Sequence, residues 1–452
     1  MRESVRDNHR SEQRKSYLGA GGEGLGRAFV RMSLGVSGIL ALDICVSVAV
    51  AILLARGLGV TGLGLYSIGI AVGRILTPLV QLGLPVLLAR EINRANALDD
   101  HCRLSGLFRF AAVALLALVA CFTVLCLFVW PLIDGAVSAR VQAVLLPALL
   151  LTPLAAMVNV GGGLLQGFQR VTAAAIVTTL AQSATMLALA GTAMLLAPDW
   201  LTPGRAVMLN VAAVAATMAG VIFLLAPRLI RAWRAAPPVY RADEWFRSAL
   251  RFALAGGLVI AEQHVLILIL GATASEAQAT FFRIAQRTAS LANLGYATVI
   301  RVIGPGISES HARGNAARLQ EFISQGARGM AATTLLVLIV LVLAGEWLLD
   351  LVLGAEFLPA YQPLILLCAA WSLRAAFGPV ESLMEMTGHE GAVVRARLLS
   401  VAVMVAGAAL LAGPLGALGA AAAAGLGYLT LSLALWRTAR RRLGCASTAL
   451  GL

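Results

Sequence analysis

Ionisable side chains stand where this sequence leaves them little water. Asp43, Arg74, Glu262, His264, Arg283, Arg287, Arg301, Arg374, Glu381 and Glu385 all interrupt long apolar stretches. A charge at the centre of a membrane-spanning helix costs about 2.5–3.5 kcal/mol on insertion scales, so such a residue faces a cavity or a partner by default. The guanidinium of arginine is a planar fork that binds phosphate or carboxylate through two parallel hydrogen bonds. A water-filled cavity lined by Arg74, Arg283, Arg287 and Arg374 therefore suits an anionic ligand. The alternative is internal pairing: Asp43 with Arg74, Glu262 with Arg287, and Glu381 with Arg374. Arginine is in surplus over acid at mid-depth, so complete pairing leaves cations unmatched, which favours the cavity.

Spacing puts some of these groups together. Arg283 and Arg287, four residues apart, share one helix face. Arg301 follows fourteen residues later, close to the same face, and about 21 Å along the axis. Arg374 and Glu381, seven apart, also share a face. His264, beside Glu262, reads equally as a buried polar contact or as a proton carrier.

The elements that must hold these charges are apolar helices. Hydrophobic residues make up 60% of the 452 and charged residues only 13%, whereas soluble domains have roughly 45–50% and about 25%. The mean hydropathy is +0.86. The excess runs the whole length, which makes an all-α, polytopic membrane protein. A spanning helix needs about 20 apolar residues. Twelve stretches qualify: 34–55, 62–89, 108–133, 141–165, 171–197, 206–227, 249–271, 276–304, 329–353, 361–386, 392–412 and 415–436. Pro78, Pro85, Pro147, Pro153, Pro379 and the glycines at 161–163 lie inside them, and such interruptions accompany bent helices around a cavity.

The net charge is +13, and Lys15 is the only lysine among 35 basic residues. A basic balance raises nucleic-acid binding as a hypothesis, but the positions oppose it. Arginines crowd the N-terminal tail and the loops at 90–103, 228–251, 313–328 and 437–442, while the opposite loops hold Arg56, Arg140 and Arg205. The positive-inside rule then puts both termini in the cytoplasm and absorbs the charge, so no nucleic-acid partner is expected. The polar segment 228–248 separates two groups of six spans. Gly59, Tyr66 and Arg74 find a loose echo in Gly271, Phe281 and Arg287, and LLQGFQRVTAAA (164–175) in LMEMTGHEGAVV (383–394). These echoes fit a duplication whose pseudo-twofold runs along the membrane normal.

Other signals are negative. Residues 1–33 lack an early apolar core for a cleaved signal peptide and read as a mostly disordered cytoplasmic tail. The six cysteines have neither CxxC nor metal-site spacing. The run GLGVTGLG (57–64) lacks the Lys-Ser/Thr of a nucleotide loop and falls on the extracytoplasmic side, so it reads as a tight hairpin. No nucleophile–base constellation stands out, and no enzyme is expected.

The stretch LLARGLGVTGLGLYSIGIAVGRILTPLVQLGLPVLLARE (53–91) resembles the first-hairpin signature of polysaccharide-biosynthesis membrane proteins. These are the O-antigen (Wzx-type) oligosaccharide flippases of the MATE-like (multidrug/oligosaccharidyl-lipid/polysaccharide) exporter superfamily. Similar segments follow at GGGLLQGFQRVTAAA (161–175), RVIGPGISESHARGNAARLQ (301–320), LVLGAEFLPAYQPLILLCAA (351–370) and MEMTGHEGAVVRARL (384–398). The resemblance implies two six-helix bundles around a central cavity. On this chain they map to 34–227 and 249–436, joined by a cytoplasmic linker at 228–248 and flanked by cytoplasmic tails at 1–33 and 437–452.

It further implies movement of undecaprenyl-diphosphate-linked oligosaccharide, the polysaccharide repeat unit, across the bacterial cytoplasmic (inner) membrane by alternating access. On that view Arg74, Arg283, Arg287 and Arg374 grip diphosphate or acidic sugars, and Asp43 and Glu262 couple transport to H+ or Na+. No cofactor is expected. The lipid-linked substrate, the bilayer, a glycan polymerase and chain-length proteins are the expected partners. Three alternatives stand beside this. A cation-coupled multidrug exporter of the same superfamily fits an arginine-rich lumen poorly. A lipid II flippase has more helices. A non-transporting scaffold of a glycan-assembly complex predicts that every mid-depth charge is paired and that no cavity exists.

Overall fold

The computed structural model describes residues 22–444, apart from 99, 134, 136, 236 and 314, together with 448. The side chains of Arg228, Arg231, Arg234 and Arg301 lie outside the described residues, as do the expected tails at 1–21, 445–447 and 449–452.

Helix α1 (Gly22–Gln81) is a hairpin rather than a rod. At Gly59 the backbone turns to φ 65°, ψ −176°, a region essentially restricted to glycine. The two arms fold back so that Asp43 and Ser47 from the first meet the same cavity as Tyr66 and Arg74 from the second. The second arm breaks at Leu82 and Gly83, both at positive φ, and continues as α2 (Leu84–Ala97). Then come α3 (His101–Ile133), α4 (Ala139–Gly167) and α5 (Val171–Ala175). A π-helical turn, Ile176–Leu180, leads into α6 (Ala181–Leu196), which α7 (Pro203–Ala235) follows.

The second lobe starts with α8 (Ala242–Thr273), α9 (Glu276–Ala312) and α10 (Ala316–Leu353). Next is a broken span, α11 (Tyr361–Ala376) and α12 (Val380–Met386), bent by 47°. Pro379 at this break cannot donate to the preceding turn. The last element, α13 (Glu390–Leu443), reverses at Gly416 (φ 55°, ψ −133°). Across that reversal Ser400 Oγ donates to the Gly427 carbonyl at 2.8 Å; a straight helix would hold these residues about 40 Å apart.

Among the described residues eight helices are long and apolar enough to cross a bilayer, or nine if the bent pair α11–α12 counts as one span. Of the eight, α1 and α13 are hairpins and cross twice. Helix α9 carries Arg283, Arg287 and Arg301 and falls outside the apolar set, but packs among the others as a further span. Among the described residues the total is the twelve crossings expected. The start of α1, the end of α13, the inter-lobe connection and the α4–α5 and α12–α13 turns fall at one end, the termini end; Gly59, Ala274, Gly354 and Gly416 fall at the other, the hairpin end. The echoed motifs around Gly167 and Gly388 occupy corresponding turns in the two lobes.

Helices outrun their apolar cores. Helix α1 starts at Gly22, inside the expected tail, because Leu25, Phe29 and Met32 already keep helical spacing. Of the expected 228–248 linker, 237–241 is non-helical while 228–235 and 242–248 are helical, and α13 continues to Leu443. Arginine and glutamate are good helix formers, so the helix does not stop where apolarity does.

Helix α4 centres the first lobe, packed by α1, α2 and α7; α9, α11 and α13 form the heart of the second. The second arm of α1 runs antiparallel to α8, with Ile68 against Gly271, Pro78 against Gly257 and Gly83 against Ala249. At the hairpin end Thr280 Oγ1 donates to the Val60 carbonyl at 2.6 Å, and Arg56 donates to the Val352 carbonyl at 3.1 Å. At the termini end, buried Glu91 pairs with Arg103 at 2.5 Å, and Arg103 also lies 3.6 Å from Glu244 of α8. The Val239 amide donates to the Cys102 carbonyl at 3.1 Å, which straps the inter-lobe connection onto α3.

Candidate functional site

Both arms of α1, the π-helical turn and helices α6 to α9 enclose a cavity of about 560 Å³ where the lobes meet. Arg74 enters it from the first lobe, Arg283 and Arg287 from the second. None of the three guanidinium groups has a hydrogen-bond or ion-pair partner among the described residues. Arg74 and Arg283 are half-buried and Arg287 is exposed, and what they expose is cavity wall. Arg283 and Arg287 come together because they are one turn apart on α9. Two like charges about 6 Å apart repel by on the order of 3 kcal/mol at an effective dielectric near 20. Among the described residues no carboxylate pairs with either of them.

Asp43 is the one carboxylate on the described wall. It forms no ion pair with Arg74, although both face the cavity, so the expected Asp43–Arg74 pairing does not occur. Asp43 Oδ1, Ser67 Oγ, Asn210 Oδ1 and His264 Nδ1 are buried on this wall without a partner. Buried polar atoms nearly always have one, and each orphan costs about 1–3 kcal/mol. Four orphans around three unpaired cations describe a wall shaped for water or a polar, anionic ligand. Asn210 also donates to the Tyr66 hydroxyl at 3.3 Å, and the Ser47 and Ser183 hydroxyls lie 3.2 Å apart.

Arg287 has a second neighbour space. A groove of about 190 Å³, walled by apolar residues such as Val48, Leu291, Leu341 and Leu349, runs between the first arm of α1, α9 and α10, and Arg287 lines it too. This guanidinium marks the border between a polar cavity and an apolar one.

Arg374 and Glu262, expected beside the other arginines and Asp43, lie elsewhere. Neither lines the 560 Å³ cavity. Arg374 donates to Glu381 at 2.6 Å and lies 3.7 Å from Glu262. Arg397 closes the ring by pairing with both Glu262 and Glu381. The four side chains come from α8, α11, α12 and α13 and are 5–14% exposed. The Arg374 guanidinium also lies 5.0 Å from the Trp371 ring centroid and 5.5 Å from that of Tyr428. Two charges of each sign leave the ring neutral and its cations satisfied.

So the expected Glu381–Arg374 pair forms, while Glu262 is taken by Arg374 and Arg397 rather than by Arg287. Glu385, on α12, is exposed and outside the ring. Sequence reasoning passed over Arg397, although it lies in the segment MEMTGHEGAVVRARL. The available signal was charge arithmetic, since Glu262 and Glu381 needed a second cation. Among the described residues no three His, Cys, Asp or Glu side chains converge as a metal site.

The family model for polysaccharide biosynthesis proteins matches residues 41–311. The chain belongs to that family. The matched region begins just before Asp43, contains Arg74, Glu262, Arg283 and Arg287, and ends before the ring residues Arg374, Glu381 and Arg397. No curated protein matches the chain by sequence. Among solved structures, this polysaccharide biosynthesis protein is similar to an inward-facing multidrug resistance MATE family transporter of the MOP superfamily. That likeness has a TM-score of 0.71 at 15% identity, covering 89% of this chain and 94% of the other. It is also similar to the lipid II flippase MurJ in an inward closed conformation, with a TM-score of 0.69 at 12% identity and coverages of 90% and 87%. A MOP superfamily transporter from Pyrococcus furiosus, described as having a binding pocket of reverse polarity, gives 0.63 at 14% identity, covering 92% and 95%. At such identities these likenesses establish a shared fold: two helical bundles around a central cavity.

Proposed function

We propose that the protein is a flippase that moves undecaprenyl-diphosphate-linked oligosaccharide across the bacterial cytoplasmic membrane by alternating access. The observation that carries the proposal is the set of three guanidinium groups, Arg74, Arg283 and Arg287, facing one inter-lobe cavity without a counter-ion. A diphosphate is the ligand chemistry that three forked donors satisfy. The apolar groove that shares Arg287 suits an amphiphile, with its charge in the cavity and hydrocarbon beside it. Family membership supplies the glycan context.

In this reading the arginine-rich end faces the cytoplasm, by the positive-inside rule. Asp43, with an unpartnered oxygen on the cavity wall, is the coupling acid for H+ or Na+. Glu262, held by two arginines, and Arg374, held by two glutamates, serve the frame of the second lobe. A drug exporter for cations would place its substrate against three unpaired arginines. A scaffold has no use for a cavity of about 560 Å³.

The test is surface-glycan export in cells that lack the native gene product. Arg74→Ala and Arg287→Ala should each abolish export at normal protein level in the membrane. Undiminished export by both variants would refute the anion grip.

A further inference from the structure

A second polar space adjoins the arginine cavity, and it has a different chemistry. It measures about 300 Å³ and lies between the break in the second arm of α1, the start of α2, α4 and the π-helical turn. Thr178, on that turn, lines both spaces, so the two lie side by side there. No lining residue of this annex is charged. Its polar groups are the side chains of Gln81, Asn159, Gln166 and Thr178, and glycine, alanine, proline and valine make up the rest.

Most of its hydrogen-bonding capacity is unspent. Asn159 Nδ2 donates to Gln81 Oε1 at 2.9 Å, and Thr178 Oγ1 donates to the Ala174 carbonyl at 2.7 Å. That leaves Gln81 Nε2, Asn159 Oδ1 and both side-chain polar atoms of Gln166, on residues that line the space, without partners among the described residues. Gly162 lets α4 approach the π-helical turn closely: a Cβ there would lie 2.6 Å from the Thr178 methyl group.

Three classes of occupant can be compared. Hydrocarbon would bury several amides without bonds, at about 1–3 kcal/mol each. An anion finds no cation in the annex, whereas three stand in the adjoining cavity. A neutral polyol matches, because each hydroxyl both donates and accepts and a primary amide offers both in one plane. The volume sits at the lower end of small-molecule sites, about 300–1,000 Å³.

We infer that the annex formed by Gln81, Asn159, Gln166 and Thr178 binds the neutral sugar hydroxyls next to the anionic group held by Arg74, Arg283 and Arg287. This rests on the flippase reading and adds a place for the glycan to it. Specificity for the first sugars then comes from the first lobe alone, while the diphosphate is shared between lobes.

The experiment titrates purified protein in lipid nanodiscs with two probes, undecaprenyl diphosphate and undecaprenyl-diphospho-N-acetylglucosamine, and reads tryptophan fluorescence. One or two net hydrogen bonds correspond to roughly a tenfold preference for the sugar-bearing probe. Wild-type protein should show that preference. Asn159→Leu and Gln166→Leu should each reduce it to about twofold or less, with binding of undecaprenyl diphosphate unchanged. Gln166 is exposed, so its variant should fold even if Asn159→Leu does not, and thermal unfolding checks both. Equal affinity of the wild type for both probes, meaning an annex that holds only water, would overturn the inference. So would a full preference retained by Gln166→Leu and a folded Asn159→Leu. Arg287→Ala separates the two ideas: it should weaken both probes alike. If it weakens neither while the sugar preference persists, the anion grip fails and the annex stands.

Discussion

Removing Arg397 and removing Arg287 should act in opposite directions, although each takes one guanidinium from the membrane interior. Arg397 bonds Glu262 and Glu381 in a ring whose members are 5–14% exposed. Arg397→Leu leaves two buried carboxylates to share Arg374, at contacts of 2.6 and 3.7 Å. Removing one partner of a buried pair costs about 3–5 kcal/mol, because the other charge stays behind. The double variant Arg397→Leu with Glu381→Gln removes one charge of each sign and keeps Arg374 with Glu262. Replacing a buried pair by neutral groups is often without net cost, so the double should recover most of the loss. Arg287→Leu strands no partner and relieves repulsion from Arg283, on the order of 3 kcal/mol before screening by cavity water.

Thermal unfolding in one detergent, with export measured in cells, separates these cases. The midpoint should fall for Arg397→Leu, return for the double variant, and hold or rise for Arg287→Leu while export is lost. An Arg397→Leu protein as stable as wild type would refute mutual neutralisation in the ring. So would a double variant no better than the single.

Two further outcomes follow from the geometry. Gly59→Ala puts a side chain on a backbone at φ 65°, ψ −176° and should cost about 1–3 kcal/mol, read as a lower unfolding midpoint. At the termini end, Glu91→Leu leaves buried Arg103 with only the 3.6 Å contact to half-exposed Glu244 and should cost about 3–5 kcal/mol. Glu244→Ala, which removes exposed contacts to Arg94 and Arg241 and the longer one to Arg103 while Glu91 still pairs Arg103, should cost less than about 1 kcal/mol in the same assay.

The legible parts of the molecule are those that depend on neighbours in sequence. Apolar length marks the spans, the glycine-rich run marks the first hairpin, and four-residue spacing joins Arg283 to Arg287. What stayed hidden depends on the facing of whole helices. Glu262 and His264 are two residues apart on α8, hence about 200° apart around its axis. One faces the ring and the other the cavity, and nothing local says which. Arg397 meets Glu262 across 135 positions of sequence, a pairing with no local signature. Helix ends are not legible from apolarity where charged but helix-favouring residues extend past the apolar run, as at Ala235 and Leu443.

The placement of the arginines also constrains how the lobes can move. Arg74 belongs to the first lobe, Arg283 and Arg287 to the second, and the lobes touch at the hairpin end through Thr280 and Val60. A ligand shifts a conformational equilibrium only by its differential affinity for the two states. In the proposed flippase, a diphosphate that bridges both lobes would favour a state in which Arg74 stays near the α9 pair, and release would require that they separate. Opening at the hairpin end must break the 2.6 Å hydrogen bond from Thr280 to the Val60 carbonyl. A disulfide there, from Val60→Cys with Thr280→Cys in a cysteine-free background, should stop export when oxidised and release it on reduction. Anion binding to the oxidised protein should persist, because the three arginines remain together. Export continuing at the full rate with the disulfide formed would show that the lobes do not part at this contact and would remove the bridging mechanism.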